Sequence, residues 1–445
     1  MKSTCGASIL ALAIGAGLAM PASAQDADSE AVARELAAMR AEMARMATRI
    51  ETLESELAEA EKAQPASEAE SEDAARVTWK GAPLIEGEGG WSFKPRGRLQ
   101  IDAGAIGAPA SAGADEGFGN EIRRARLGVE GDIPGGFGYK FEVDFAGNEV
   151  EIVDAIATYG HGGLTISAGQ HNGFQGLEEL TSSRFISTME RAAFTDAFGF
   201  ERRVGLSAQY AAEAWLVQGG VFTDNIDALS NENWSADGRA VFMPKLGETR
   251  LHLGGSLHYA DYEGGTELRY RQRPFVHFTD ERFIDTGGFA AASEFGMGLE
   301  AAAIAGPFHA VAEGFWQKAD RPGALADPTF FGGYAEVGMF LTEGDTRGYG
   351  DGTFDRVKPA NPVGEGGFGA VQVNLRYDHL DLVEAGLIGG TQDAYALSLV
   401  WTPTDYTRFM MNYARLQYGD AVLPAAGGDT SYGVDAFGVR AQIDF

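Results

Sequence analysis

The last nine residues restrict this chain more than any other stretch. Phe437, Val439, Ala441, Ile443 and Phe445 alternate with Gly438, Arg440, Gln442 and Asp444. Strand side chains point alternately to the two faces of a sheet, so one face here is apolar and the other small or charged. The same period recurs along most of the chain. Phe137, Tyr139, Phe141, Val143 and Phe145 alternate with Lys140, Glu142 and Asp144; Leu251, Leu253, Leu257 and Tyr259 alternate with His252, Ser256 and His258. Charged side chains at alternate places in strand after strand cannot line a dry core. They fit a closed barrel with hydrocarbon outside and water inside.

Seventeen runs alternate in this way from Trp79 onward. A bacterial single-chain barrel takes an even number. The weakest run, Glu267 to Asp285, carries Arg269, Arg271, Arg273, Pro274, Asp280 and Glu281, and reads better as a long loop. The expected fold is therefore an all-β transmembrane barrel of about 16 antiparallel strands over 79–445. Short connections near Pro134, His161, Ala212, Pro244, Gly306 and Pro403 then fall on one rim. The longer stretches 171–202, 223–235, 262–292, 319–328, 381–391 and 419–430 fall on the other, apart from 344–366, which is long yet belongs to the short-turn rim. Short periplasmic turns and longer outer loops are the expected asymmetry.

The chain before the barrel has a different character. Lys2, the apolar stretch Ile9 to Ala19 and the small residues Ala22, Ser23 and Ala24 read as a signal peptide over 1–24. Cys5, the one cysteine, lies inside it, so the mature chain is expected to carry out no thiol chemistry. Within 25–63, Leu36, Met43, Ile50 and Leu57 occupy heptad position a, and Val32, Met39, Met46, Leu53 and Ala60 position d. A narrow apolar stripe of this kind predicts an α-helical coiled coil. Residues 64–78, acidic and rich in Ala and Ser, read as a linker.

A formal charge of −29 argues against nucleic acid as a partner, because phosphates would be repelled. No nucleophile elbow, phosphate-binding Gly-rich loop or His-Glu-x-x-His motif is present, so no catalytic residues, cofactor or metal are expected. His252 and His258 share a strand face and read as solvated lumen residues rather than as a metal pair. The scarce positive charges carry more information because they cluster. Lys94, Arg96 and Arg98 share one face, Arg124 and Arg126 another, and Arg269, Arg271 and Arg273 a third. Arginine holds anions while remaining hydrated, and a string of weak sites is what conduction needs. The alternative is that each arginine simply pairs with a lumen acid such as Asp102, Asp144 or Asp154. The stretch 171–202 contains Phe174, Phe185, Phe194, Phe198 and Phe200 and is too apolar to stand in outer solvent. An infolded constriction loop is the expectation.

At Gly97-Arg98-Leu99-Gln100, Arg123-Arg124-Ala125, Asp154-Ala155, Gly176-Leu177-Glu178 with Thr181-Ser182-Ser183, the Arg269/Arg271/Arg273 triplet, and Phe354-Asp355 with Lys358-Pro359, the chain resembles the phosphate- and pyrophosphate-selective porins of bacterial outer membranes. The resemblance runs from about Trp91 to Phe445. It implies a sixteen-stranded trimeric porin whose third loop narrows the pore and whose arginines lead anions inward. It places Arg98, Arg123, Arg124, Arg269, Arg271 and Arg273 on that ladder, Asp154 on the conduction path, and Ser182 and Ser183 in the constriction loop. Strand parity aims Arg123 away from the lumen, which a bulge would reconcile. Glu179 stands where these porins place a lysine, and Gly138 at a second such place. At ~6 Å and an effective dielectric near 20, each unit-charge pair is worth roughly 3 kcal/mol. Tight phosphate selectivity therefore does not carry over.

The functional expectation is a diffusion porin for small inorganic anions or small polar solutes, with a pore path of Lys94, Arg98, Arg123, Arg124, Arg126, Asp154, Arg269, Arg271 and Arg273. Glu179, Thr181, Ser182, Ser183 and Arg184 form its constriction loop. Expected partners are outer-membrane lipid, two further copies in a homotrimer, the barrel-assembly machinery through Phe445, and the cell wall through a periplasmic coiled coil. Two alternatives stand beside it: a non-selective, cation or neutral-solute porin, and an envelope tether acting through the coiled coil.

Overall fold

The computed structural model describes residues 37–53, 55–56, 75–114, 117–147, 149–229 and 233–445. It divides into two units, Met1–Asp73 and Ala74–Phe445. In the first, 37–53 is α-helical, and Met39, Met43, Met46, Ile50 and Leu53 are all exposed along it. Leu36 and Leu57 of the predicted heptad lie outside the described residues, as do the signal peptide and most of the linker.

The second unit is a closed barrel. Its sixteen wall strands are β1 (Ser92–Gly107), β2 (Gly117–Ile133), β3 (Phe137–Asp144), β4 (Glu151–His161), β5 (Leu164–Asn172), β6 (Arg202–Ala211), β7 (Trp215–Phe222) and β8 (Asn233–Phe242), followed by β9 (Thr249–Leu268), β10 (Phe289–Ala305), β11 (Phe308–Asp320), β12 (Thr329–Phe340), β13 (Ala370–Glu384), β14 (Leu387–Thr404), β15 (Thr407–Gly419) and β16 (Gly433–Asp444). Each pairs antiparallel with the next, and β16 closes on β1 through Asp435↔Gly107 to Asp444↔Arg98. A short hairpin, Arg76–Trp79 with Pro83–Glu86, extends β1 at the short-turn rim through Ile85↔Phe93.

Burial is inverted relative to a soluble sheet. On β16, Arg440, Gln442 and Asp444 are buried, whereas Phe437 and Ile443 are 41% and 56% exposed. Apolar side chains outward and polar ones inward is the arrangement that lipid outside and water inside dictate. Outward aromatics gather at both rims. Phe137 lies against Tyr159, and Trp401 against Phe368 and Phe409, near the short turns. Trp234 meets Tyr259 and Tyr377 meets Tyr395 near the long loops. Such girdles mark the two membrane interfaces.

Two expected loops are shorter than predicted. Strands β13 and β14 run on to a two-residue turn at Ala385 (φ 52°) and Gly386 (φ 82°), so 381–391 is not a long loop. The left-handed pair supplies the twist a tight hairpin requires. The loop expected over 262–292 narrows to 269–288, because β9 continues to Leu268 and β10 begins at Phe289.

Three long connections pack inward: 269–288, which buries Val276, Phe283 and Ile284, and two that approach from opposite ends. The loop 173–201 between β5 and β6 folds inward, burying Leu177, Met189, Phe194 and Phe198. Phe194 stacks on Phe315 at 6.0 Å, and Phe200 meets Phe315 edge-on at 4.8 Å. From the short-turn rim, 341–369 sends up a small hairpin, Gly348–Gly350 with Thr353–Asp355. Its Phe354 amide donates to Thr181 Oγ1 of the first loop at 3.2 Å. Together these segments fill the part of the lumen facing β10 to β16.

Candidate permeation pathway

Irregular backbone at membrane depth must find partners for its polar groups. Loop 173–201 finds them on the wall. The carbonyl of Ser183 accepts from Gln100 (3.2 Å), that of Arg184 from Arg408 (2.8 Å) and Gln442 (3.2 Å), that of Ile186 from Arg408 (2.6 Å), and that of Ser187 from Ser398 (2.6 Å). Arg347 donates to the Phe185 carbonyl and Arg440 to that of Met189. Acids hold the amides: Glu313 accepts from Leu177 N (2.7 Å) and Glu178 N (2.8 Å), and Asp378 from Ala193 N. Glu178 in turn pairs with Arg376, which also reaches Glu336 at 2.8 Å.

The space left open lies along β1 to β6. A cavity of about 780 Å³ opens at the short-turn mouth, and a second of about 270 Å³ lies toward the long loops. Arg124, Glu179, Arg191 and Arg202 line both, so they mark the throat. Lys94, Arg96, Arg98 and Gln100 climb the inner face of β1 at successive alternate positions, and Arg124 sits opposite Gln100 on β2. At ~3.4 Å per residue this ladder runs along roughly 20 Å of strand, or ~15 Å of depth at the usual barrel tilt.

The predicted site residues separate into three groups. Lys94, Arg98, Arg124, Arg126, Asp154, Glu179, Thr181, Ser182, Ser183 and Arg184 all line the larger cavity. Arg123 and Arg273 line the smaller one. The register of β1 and β2 shifts so that Gln100 faces Arg124 and Ile101 faces Ile122. Arg123 is the extra residue of this bulge, and its guanidinium reaches Glu190 of the infolded loop with two bonds of 3.0 Å. Arg269 and Arg271 correct the expectation. Both are exposed and line neither cavity, Arg269 being held by Asp285, while Tyr270 and Gln272 take the inward positions. The alternation persists in a short ladder of Arg271 and Gln272 with Asp285 and Ile284, but with the arginines on its outer face. The histidines are a second correction. His252 and His258 are buried rather than solvated, His252 against Tyr349 OH (2.6 Å) and Glu300, His258 between Asp237 (2.6 Å) and Glu294.

Pairing decides which cations are left for a solute. Arg126 is taken by Asp144 (2.7 Å) and Glu142 (3.2 Å), and Arg202 and Lys140 share Asp154 at 2.8 and 2.5 Å. Arg98 donates to Ser183 Oγ at 2.6 Å, and its nearest carboxylate, Glu142, is 4.0 Å away. Among the described residues, Lys94 and Arg124 form no ion pair; Arg124 bonds the Gln100 amide oxygen at 2.9 Å. Arg98 and Arg126 face each other directly across β1 and β2, a like-charge placement that costs stability. Two loop carboxylates behave oppositely. Burial would raise Glu190, but Arg123 and Arg440 outweigh it and hold it well below the ordinary range. At Glu179 burial prevails over Arg191 and raises the carboxyl.

A family model described as phosphate-selective porin O and P matches residues 93–445. This chain belongs to that family. A Caulobacter vibrioides protein described as uncharacterized is 48% identical to this porin over 383 residues, which is 83% of this chain and 77% of that one. The fold is similar to Pseudomonas putida OprB at high pH (TM-score 0.51, 13% identity, 80% of this chain and 95% of that one). It is also similar to an anion-selective porin from Comamonas acidovorans (TM-score 0.50, 15% identity, 80% of this chain and all of that one). This porin is an outer-membrane β-barrel channel.

The arginines that brace the loop, Arg376, Arg408 and Arg440 on the wall and Arg347 on the connection 341–369, escaped the sequence reading, as did Arg191 and Arg202 at the throat and Glu190 above it. Alternation places Arg440 inward, but nothing local to it marks Met189 and Glu190 as its partners. Arg376→Met should leave Glu178 and Glu336 buried without their cation, at a cost of about 3–5 kcal/mol. The expected readout is faster proteolytic cleavage within 173–201 in a barrel that keeps its heat-dependent gel shift; an unchanged cleavage rate would show that this pair does not hold the loop.

Proposed function

We propose that this porin prefers small anions, without tight selection of phosphate. One observation carries the reading. The larger cavity is lined by ten lysines and arginines against five carboxylates, in a chain whose formal charge is −29. The smaller cavity has five of each, so the excess of positive charge begins below the throat. A sign of charge concentrated against the overall balance raises the local concentration of the opposite ion. Glu179 is the opposing element, 3.4 Å from Arg191 at the narrowest level. It weakens the field where a dianion would need it most. Trimeric assembly is part of the proposal, supported by a Vibrio cholerae outer membrane protein, OmpT, whose in-vitro folded trimer form is similar in fold (TM-score 0.50, 12% identity). The barrel-assembly machinery is the proposed partner of the C-terminal strand ending at Phe445.

Reversal potentials in a potassium chloride gradient should show chloride preferred over potassium; potassium preference would end this reading. Glu179→Gln should raise the anion ratio roughly twofold, since a charge ~8 Å away in a wet lumen contributes ~0.5 kcal/mol. Acidification from neutral pH should act in the same direction, because the raised Glu179 carboxyl loses its charge before ordinary carboxylates do. Glu179→Lys should introduce block of the chloride current by phosphate.

A second role is proposed for the helix over 37–53. Its exposed Met39, Met43, Met46, Ile50 and Leu53 form an apolar stripe suited to self-association. Chain entry at the short-turn rim supports a periplasmic location for this segment, where it would hold the trimer or contact the cell wall. Deleting 26–63 should lower trimer stability or envelope integrity while single-channel conductance stays constant; a deletion with neither effect excludes the stalk role.

A further inference from the structure

We infer that the solute class is a small organic oxyanion with a hydroxylated body, rather than a bare inorganic ion. The inference rests on the anion-preferring reading above and adds a second recognition surface. Half of the cations of the larger cavity project from β1 and β2, whereas β4, β5 and β6 add to Asp154 and Arg202 a row of neutral groups facing the same space. Thr158 pairs directly with Ser167, and Ser167 directly with Ser207, so three hydroxyl-bearing residues form one row across three strands. All three line the cavity, with Gln209 beside them. Ser207 Oγ is bonded to His171 Nε2 at 3.1 Å. Among the described residues, the hydroxyls of Thr158 and Ser167 have no hydrogen-bond partner, which leaves them to meet a solute.

At ~4.8 Å between neighbouring strands, β2 and β5 are separated by roughly 14 Å along the wall, and inward-reaching side chains shorten that span. A solute whose oxyanion faces Arg98 and Arg124 can therefore turn its hydroxyls toward the row. Gly138 belongs to the same row, opposite Thr158, and a Cβ there would come within 2.7 Å of Thr158 Oγ1. The missing side chain keeps that hydroxyl accessible. About 780 Å³ also exceeds what an inorganic oxyanion fills. Neutral hydrogen-bonding groups opposite fixed charge orient a polar ligand, because each hydroxyl group that loses water needs a replacement partner.

The test is bi-ionic reversal potentials of the full chain in planar bilayers, with gluconate or hexanoate on one side and chloride on the other. Gluconate should permeate better than hexanoate by about fivefold, the worth of one net hydrogen bond. The ratio should fall toward one in Thr158→Val and in the triple variant Thr158→Val, Ser167→Ala, Ser207→Ala, each first shown to be folded by its heat-dependent gel shift. A channel that favours chloride over potassium but treats the two organic anions alike overturns this inference alone. A channel that favours potassium overturns it together with the reading beneath it.

Discussion

A peptide backbone packed against the inner wall of a barrel, away from lumen water, must pair its carbonyls with protein donors, and loop 173–201 places a run of them there. The wall answers with side chains from distant strands: Gln100 on β1, Ser398 on β14, Arg408 on β15, and Arg440 and Gln442 on β16. Each of these donors also needs partners in the barrel interior, so loop and wall satisfy one another. Aromatic packing of Phe194 and Phe200 on Phe315 adds the apolar share. The pore is what this mutual satisfaction leaves unfilled.

The arginines consequently fall into two populations. Arg347, Arg376, Arg408 and Arg440 are structural, spending their donors on loop carbonyls and buried acids. Lys94, Arg98 and Arg124 stand along the open side with few acidic partners and are the candidates for contact with solutes. Arg126 and Arg202 lie between, facing the cavity but held by Asp144, Glu142 and Asp154. The same lumen thus holds cations with acidic partners and cations without them. The family match explains the architecture and not the solute, because Glu179 at the throat departs from the lysine of the phosphate-selective pattern.

The barrel was legible because lipid and water enforce a two-residue period on every strand. Strand number, antiparallel order and the asymmetry of the rims all followed from it. Legibility failed where that enforcement stops. Beyond the hydrocarbon, β13 and β14 run on through Asp381 and Thr391 without an apolar outer face, so a tight hairpin at Ala385 and Gly386 looked like a loop. Arg269 and Arg271 alternate as a strand would, yet outside the hydrocarbon nothing fixes which parity faces inward, and Tyr270 and Gln272 take that side while Arg273 reaches the smaller cavity. Arg123 pointed inward only because a bulge adds a residue to β2, which its family resemblance suggested and its parity opposed. The bracing of the constriction loop was out of reach, since Arg440 and Met189 meet across 251 positions of chain.

Cysteine accessibility tests the account most directly, because the one native cysteine, Cys5, lies in the predicted signal peptide. Cysteines would be placed one at a time on inward positions of the two halves, and single-channel current followed while a charged thiol reagent is added. Lys94→Cys, on the open side, should lose current on modification, whereas Asn374→Cys and Gln392→Cys, buried on inward positions of β13 and β14, should not respond. Rapid block through Asn374→Cys or Gln392→Cys would mean that ions travel where loop and wall are said to be packed, and the divided lumen would have to be abandoned.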